Sequence, residues 1–257
     1  MDGQRQRLLR SLAAAGVRYV PRAPEAPGPG SGPASPPAPP PPTRAPASKQ
    51  AAGEVITSAP QASLFATRRA ADPEAELTTV ADAVRRCVAC KLGSTRTNAV
   101  PGEGDPHARV VFVGEGPGAE EDRTGRPFVG RAGQLLDDII TKGMKLRRED
   151  VYICNVVKCR PPENRVPAPD EVEACSDWLD RQLLAIAPRV ICALGSTAAR
   201  RLLGTERSLG ALRGATHRWR EIPLVVTYHP AYLLRNPAAK APTWVDIQRV
   251  IELMNGP

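Results

Sequence analysis

Four cysteines, one histidine and a glycine-rich loop are the residues of this sequence best suited to chemistry. Cys87 and Cys90 form a Cys-x2-Cys pair, Cys159 stands in Lys158-Cys159-Arg160-Pro161-Pro162, and Cys175 follows sixteen residues later. Four thiolates can close around a zinc ion or an iron–sulfur cluster, and spacing alone does not choose between them. Pro161, Pro162, Pro167 and Pro169 stiffen the loop between Cys159 and Cys175, as wrapping a fixed object requires. Cys154 and Cys192 fall inside apolar runs and read as core thiols.

The glycine-rich loop lies in Val110–Leu136, VVFVGEGPGAEEDRTGRPFVGRAGQLL. Four β-prone residues break into Gly114, Gly116, Pro117 and Gly118, which let the backbone turn tightly and approach a ligand. Glu115, Glu120, Glu121 and Asp122 follow, then the aromatic Phe128. No Gly-Lys-Ser/Thr closes the loop, which excludes a P-loop, and the alternating glycines lack the G-x-G-x-x-G spacing of a dinucleotide site. His229 ends an apolar run, where it is a candidate acid, base or hydrogen-bond donor. The following Pro230 argues against a helix continuing through that point. Tyr232, Leu233, Leu234 and Arg235 then make a bulky apolar bump with one charge.

The elements that must hold these residues alternate. Short Val/Ile-rich runs at 109–114, 151–157, 190–194 and 224–228 read as parallel strands buried on both faces. Helical patterns run over 73–86, 132–142, 170–187, 196–203 and 243–254, with Asp170 and Ser196 as expected N-caps. This order predicts an α/β three-layer sandwich, a central four-stranded parallel sheet flanked by helices. Ligands in such sheets sit at the carboxyl ends of the strands. Here those ends carry Gly114–Gly118, Asn155, Gly195-Ser196 and His229.

The net charge of +8 is uneven: residues 1–72 carry nine Lys/Arg against four Asp/Glu, and residues 73–257 carry 26 against 23. A nucleic-acid surface must therefore come from local clustering, and six arginines from Arg200 to Arg220 offer either that or a solvated face. His217 lies within the run, while His107 sits in a polar turn. Residues 1–20 read as a short basic helix without the uninterrupted apolar stretch of an export signal. Residues 21–72 read as a disordered linker, with twelve prolines between positions 21 and 46. No apolar run reaches the roughly 18 residues that a membrane span needs. The ordered domain is expected over 73–257, cytoplasmic, with its cysteines reduced.

Taken together, these stretches resemble family 4 uracil-DNA glycosylases, the iron–sulfur branch of their superfamily. The resemblance covers roughly 75–255 and rests on four ordered blocks. They are Gly114-Glu-Gly-Pro-Gly118 with Glu121-Asp122, Gly125-Arg-Pro-Phe128-Val-Gly130, Asn155-Val-Val-Lys-Cys159-Arg-Pro-Pro-Glu-Asn-Arg165 with Cys175, and His229-Pro-Ala231.

The resemblance implies a [4Fe–4S] cluster on Cys87, Cys90, Cys159 and Cys175, and a uracil pocket made by Gly114, Glu115, Gly116, Phe128, Asn155 and His229. It implies hydrolysis of the N-glycosidic bond in DNA, with His229 donating to the departing base and water activation open between Glu115, Glu121 and unassisted capture. Glu121 is also the candidate for guarding the base's C5 position. Tyr232, Leu233, Leu234 and Arg235 are expected to wedge into the duplex and contact phosphate. The implied partner is uracil-containing DNA, near the nucleoid, with the protein a monomer and residues 1–72 an arm for a protein partner. The competing expectation is a non-catalytic module that binds uracil or abasic DNA.

Overall fold

The computed structural model describes residues 72–256. The expected basic helix and nearly all of the linker lie outside the described residues.

Helix α1 (Pro73–Arg86) starts on Asp72, whose carboxylate accepts the Ala75 amide at 3.0 Å, and Pro73 occupies the first turn, where no N–H is needed. A short helix α2 (Leu92–Thr95) follows the Cys-x2-Cys pair. Strands β1 (Glu103–Gly104) and β2 (Val110–Gly114) lead into α3 (Ala119–Thr124) and α4 (Arg131–Asp138). Strand β3 (Tyr152–Asn155) precedes the long α5 (Pro169–Ile186), and β4 (Val190–Leu194) precedes α6 (Ser196–Leu203). After α7 (Leu209–Leu212) come β5 (Thr216–Trp219), β6 (Ile222–Thr227), α8 (Pro230–Arg235) and α9 (Lys240–Asn255).

The sheet runs β1-β3-β2-β4-β6-β5. Its four inner strands are parallel, as the sequence predicts, and β1 and β5 add antiparallel edges. Those edges escape sequence reading because β1 is two residues long and β5, Thr-His-Arg-Trp, carries no apolar run.

The strand residues alternate between two cores. Val111, Val113, Cys154, Ile191, Ala193, Leu224 and Val226 pack with Leu77 of α1, Leu179, Leu183 and Ile186 of α5 and Ala198 of α6. Val110, Phe112, Ile153, Cys192, Leu194 and Val225 pack with Leu136 of α4, Ile140, and Ile247 and Val250 of α9. That is the expected three-layer sandwich. Each wholly buried Leu, Ile or Phe contributes about 1.5–3 kcal/mol.

Two helix starts differ from expectation, and one helix, α8, has no counterpart in the expected pattern. Asp170 is not the cap of α5: Ala168 is, Pro169 takes the first position, and Glu171 bonds back to the Ala168 amide at 2.8 Å. Gly195, at φ 92°, replaces Ser196 as the cap of α6, because a Cβ there would press on the Cβ of His229 at 3.2 Å. No helix continues through Pro230, as expected; it opens α8, since its fixed φ suits the first helical position. Helix α4 passes into a π turn, Ile139–Gly143, whose final glycine leaves room for Trp244.

From β2 the chain crosses to β3 on one side, then returns to β4 on the other. The switch between β2 and β4 splays their loops apart and opens a crevice at the strands' carboxyl ends.

Candidate active site

That crevice is a cleft of about 450 Å³, within the range of roughly 300–1,000 Å³ typical of small-ligand sites. Glu115 to Gly118, Glu121, Phe128, Asn155, Gly195, His229 and Tyr232 all line it. Sequence reading assigned most of them to the site from four separate stretches.

Asn155 is the last residue of β3, paired in register with Gly114. It is 1% exposed, and its Oδ1 is buried without a hydrogen-bond partner among the described residues. An orphaned acceptor of this kind costs about 1–3 kcal/mol, so a donor from outside the chain is the natural complement. A Cβ on Gly114 would overlap Asn155 Oδ1 and lie 2.6 Å from the Phe128 ring, so glycine is what allows these side chains to meet over the strand.

Phe128 is buried and sits at φ 51°, a left-handed conformation that costs about 1–3 kcal/mol in a non-glycine residue. Arg148 offsets that strain, donating to Pro127 O at 2.6 Å and Phe128 O at 3.3 Å. Gly133 lets helix α4 pass directly against the Phe128 carbonyl. The Phe128 ring lies 5.5 Å from the imidazole of His229, inclined by 32°.

His229 caps α8, its Nδ1 accepting the Ala231 amide at 3.2 Å. With Nδ1 an acceptor, the neutral ring carries its proton on Nε2. Burial, and then the charge of Arg235, push the pKa of His229 down to about 4, against a smaller opposing effect of Glu121. A neutral donor therefore faces the cleft at neutral pH.

The two acidic candidates differ in freedom. Glu121 accepts three backbone amides: Gly118 at 3.1 Å, Val129 at 2.9 Å and Gly130 at 2.9 Å. It binds the two glycine turns together. Glu115 instead receives one short hydrogen bond, from the Thr197 hydroxyl on α6. Thr197 was not singled out from sequence; its signal is a hydroxyl two residues past Gly195, at the end of a parallel strand.

Leu233 does not serve as a wedge. It is 1% exposed, because α8 turns Pro230 and Leu233, three residues apart, into the core. Tyr232 and Leu234 are the exposed apolar residues of α8. Tyr232 stacks on Tyr228 at 4.9 Å and 19°, and the Arg213 guanidinium covers the Tyr228 ring at 4.0 Å. Arg213 in turn pairs with the buried Asp246 at 2.7 Å, which also accepts the Thr227 hydroxyl.

Each arginine of the run has a partner within the chain. Arg201 pairs with Asp180, Arg213 with Asp246 and Arg200 with Glu206, while Arg207 and Arg218 donate to nearby carbonyls and Arg220 covers Trp219. His217 bonds to the Leu212 carbonyl. The cationic residues bordering the cleft are Arg165 and Arg235.

Cys87, Cys90, Cys159 and Cys175 line one cavity with Val84, Gly93 and Trp178. All the cysteines are free thiols, and Cys154 and Cys192 are wholly buried strand residues, as expected. Arg96 donates to Cys159 Sγ at 3.0 Å, and the Lys158 amide donates to Cys175 Sγ at 3.3 Å. Donors aimed at sulfur suit anionic thiolates in a cluster site. Burial raises the pKa of Cys159 and takes Cys175 up to about 11, while Arg96 and Lys158 respectively oppose it. No group of three or more His, Cys, Asp or Glu side chains among the described residues is arranged to hold a single metal ion. Arg165 closes the intervening loop through a two-pronged bond to Glu171, at 2.7 and 2.6 Å, which holds that carboxyl down to about pKa 2. No described helix is long and apolar enough to cross a membrane.

Residues 101–248 match the Uracil DNA glycosylase superfamily. The Type-4 uracil-DNA glycosylase of Thermotoga maritima is 54% identical over 159 residues, 61% of this chain and 82% of that protein. The Type-4 enzyme of Saccharolobus solfataricus is 44% identical over 184 residues, 68% of this chain and 85% of that protein. The Type-5 uracil-DNA glycosylase of Thermus thermophilus is 38% identical, over 46% of this chain and 61% of that protein. With its central parallel sheet, its glycine-lined cleft and its four gathered cysteines, the chain belongs to the type-4 branch of the uracil-DNA glycosylase superfamily.

Proposed function

We propose that this protein is a monofunctional DNA repair enzyme that extrudes uracil from DNA and hydrolyses its N-glycosidic bond, the first step of base excision repair. The observation that carries this reading is the buried, unpartnered Oδ1 of Asn155 in the cleft. Uracil offers N3–H as donor and O4 as acceptor, and one carboxamide answers both. With the carboxamide held in that orientation, cytosine reverses the pattern and leaves buried groups unpaired, at about 1–3 kcal/mol for each mismatch.

The flipped base stacks on Phe128, whose backbone the Arg148 bonds hold in place. The N1–C1′ bond breaks with its electron pair going to the base, and the charge spreads to O2. His229 meets that charge as a neutral Nε2–H donor, an effect worth about 3–4 kcal/mol. Water adds to C1′, and its proton passes to Glu115, which the Thr197 hydroxyl orients through one of its two oxygens. Glu121 is a clamp on the loop, since three amides occupy its carboxylate. Tyr232 and Leu234 fill the space the base vacates, with Arg235 near the backbone phosphates.

Cys87, Cys90, Cys159 and Cys175 would hold a [4Fe–4S] cluster, which would supply a structural brace for the Cys159–Cys175 loop and no redox step in hydrolysis. The enzyme acts as a monomer in the nucleoid-bearing cytoplasm, and residues 1–72 tether a protein partner.

The test is to incubate pure protein with oligonucleotides carrying one U:G, U:A or unpaired U, followed by alkali. Strand scission at uracil, with none at C or T, is expected. Intact strands would favour the binding module.

A further inference from the structure

Lys158 is 1% exposed, among the largest fully buried side chains of the described core. Its Nζ donates to the main-chain oxygen of Asn155 at 2.8 Å and to Gln182 Oε1 at 2.6 Å. Both acceptors are neutral, and no carboxylate pairs with it among the described residues. Burying an ammonium in this way is costly, so its placement calls for a reason beyond packing.

The surroundings supply one. Asn155 is where β3 ends and the backbone begins to bend away from the sheet. Two ladder-like bonds continue past that point, Val156 N to Gly114 O at 3.0 Å and Val157 N to Glu115 O at 3.1 Å. The direction of the Asn155 carboxamide depends on how this bend is held. Lys158 reaches back three residues and ties the Asn155 carbonyl to Gln182 on α5. Gln182 is itself immobilised, donating to Pro101 O at 2.8 Å and to the Tyr152 hydroxyl at 3.1 Å. Cys175 and Gln182 are seven residues apart on α5, two turns, and so share a face. The Lys158 amide meets the Cys175 sulfur, and Cys159 is the next residue.

We infer that Lys158 is a positioning residue for base recognition, joining the wall of the cysteine cavity to the backbone that aims the Asn155 carboxamide. This rests on the uracil-reading role given to Asn155 above. A carboxamide selects a base edge only when its supports fix it to within about 0.5 Å, and Lys158–Gln182 is the support on the core side.

The test compares wild type with Lys158→Met and Gln182→Leu. The Leu variant keeps the ammonium and lies away from the sulfur atoms, so it decides the matter if the Met variant does not fold. Four quantities are read: inhibition by free uracil, KM and kcat on a single-uracil oligonucleotide, affinity for abasic DNA, and iron per chain with absorbance near 400 nm. Both variants are expected to bind free uracil at least tenfold more weakly, with a matching rise in KM. Abasic-DNA affinity, iron content and the visible spectrum should stay at wild-type values. Gln182→Glu, which restores the acceptor for Nζ but not the donors to Pro101 and Tyr152, should recover part of the loss seen in Gln182→Leu. Unchanged uracil inhibition would overturn the inference. So would a loss of uracil binding that only tracks a loss of iron, which would make Lys158 a support of the cysteine cavity alone. Wild-type protein that fails to release uracil would instead reject the underlying function, a result this comparison reads separately.

Discussion

Nδ1 of His229 accepts the amide of Ala231 at 3.2 Å, so the same imidazole that faces the cleft also closes the first turn of the helix behind it. This fixes the tautomer. Protonation would remove the acceptor, and burial already lowers the pKa to about 4. The histidine-dependent part of the rate, taken as the ratio of wild type to His229→Ala, should stay flat from pH 8 to about pH 5.5 and fall only toward pH 4. A fall centred near pH 6.5 would mean a solvated, titrating ring. The folded pKa lies below that of an unfolded histidine, so His229 lowers stability progressively as pH drops from about 6.5 through 4. The substitution itself should reduce kcat by about 10²–10³ with little change in affinity for abasic DNA.

Thr197 gives Glu115 its orientation through a single hydroxyl. Thr197→Val preserves shape and removes the bond. It should lower kcat about tenfold, equivalent to about 1.4 kcal/mol, with KM unchanged. Thr197→Ser should retain most of the rate. A drop in KM-dependent terms alone, measured by steady-state kinetics, would place Glu115 in binding and not in water activation.

Gly114 is where Asn155 and Phe128 converge. An added Cβ overlaps side-chain atoms and not backbone, so Gly114→Ala should shift the recognition groups while leaving the fold intact. Thermal melting is expected within a few degrees of wild type. kcat/KM is expected to fall by about 10², the usual consequence of ångström-scale misplacement.

Tyr232 stands at the end of a column running from buried Asp246 through Arg213 and Tyr228. A prestacked ring loses little freedom on meeting DNA. Tyr232→Ala should weaken duplex binding by about 1–3 kcal/mol, and Leu234→Ala should weaken it too, whereas Leu233→Ala should act on stability, lowering it by about 2–5 kcal/mol. Binding isotherms beside melting curves separate the two effects.

The inner sheet and the site residues were legible because both leave local marks. Val110–Val113 and Val190–Leu194 are uninterrupted apolar runs, and Gly114, Asn155 and His229 fall where such runs stop. The edge strands left no such mark: Thr216–Trp219 is three polar residues and one tryptophan, and becomes a strand only by pairing with β6. The buried face of α8 was missed because Leu233 and Leu234 are chemically alike, and only the helical phase set by Pro230 separates them. The pairing of the arginine run was equally invisible, since partners such as Asp180 and Asp246 lie far from it in sequence. Thr197, Lys158 and Arg148 act through tertiary contacts with Glu115, Asn155 and Phe128, and a one-dimensional pattern does not encode those.

The most direct test of base-edge reading is the substrate preference of Asn155→Asp. A protonated carboxyl reaching the base can accept from the cytosine amino group and donate to its N3, which a carboxamide held with Oδ1 toward the base's N3 position does not match. Single-turnover assays on matched oligonucleotides carrying one U or one C should show measurable release of cytosine by the variant and none by wild type. Uracil-only activity in the variant, at wild-type selectivity, would contradict the assignment of Asn155 as the reader.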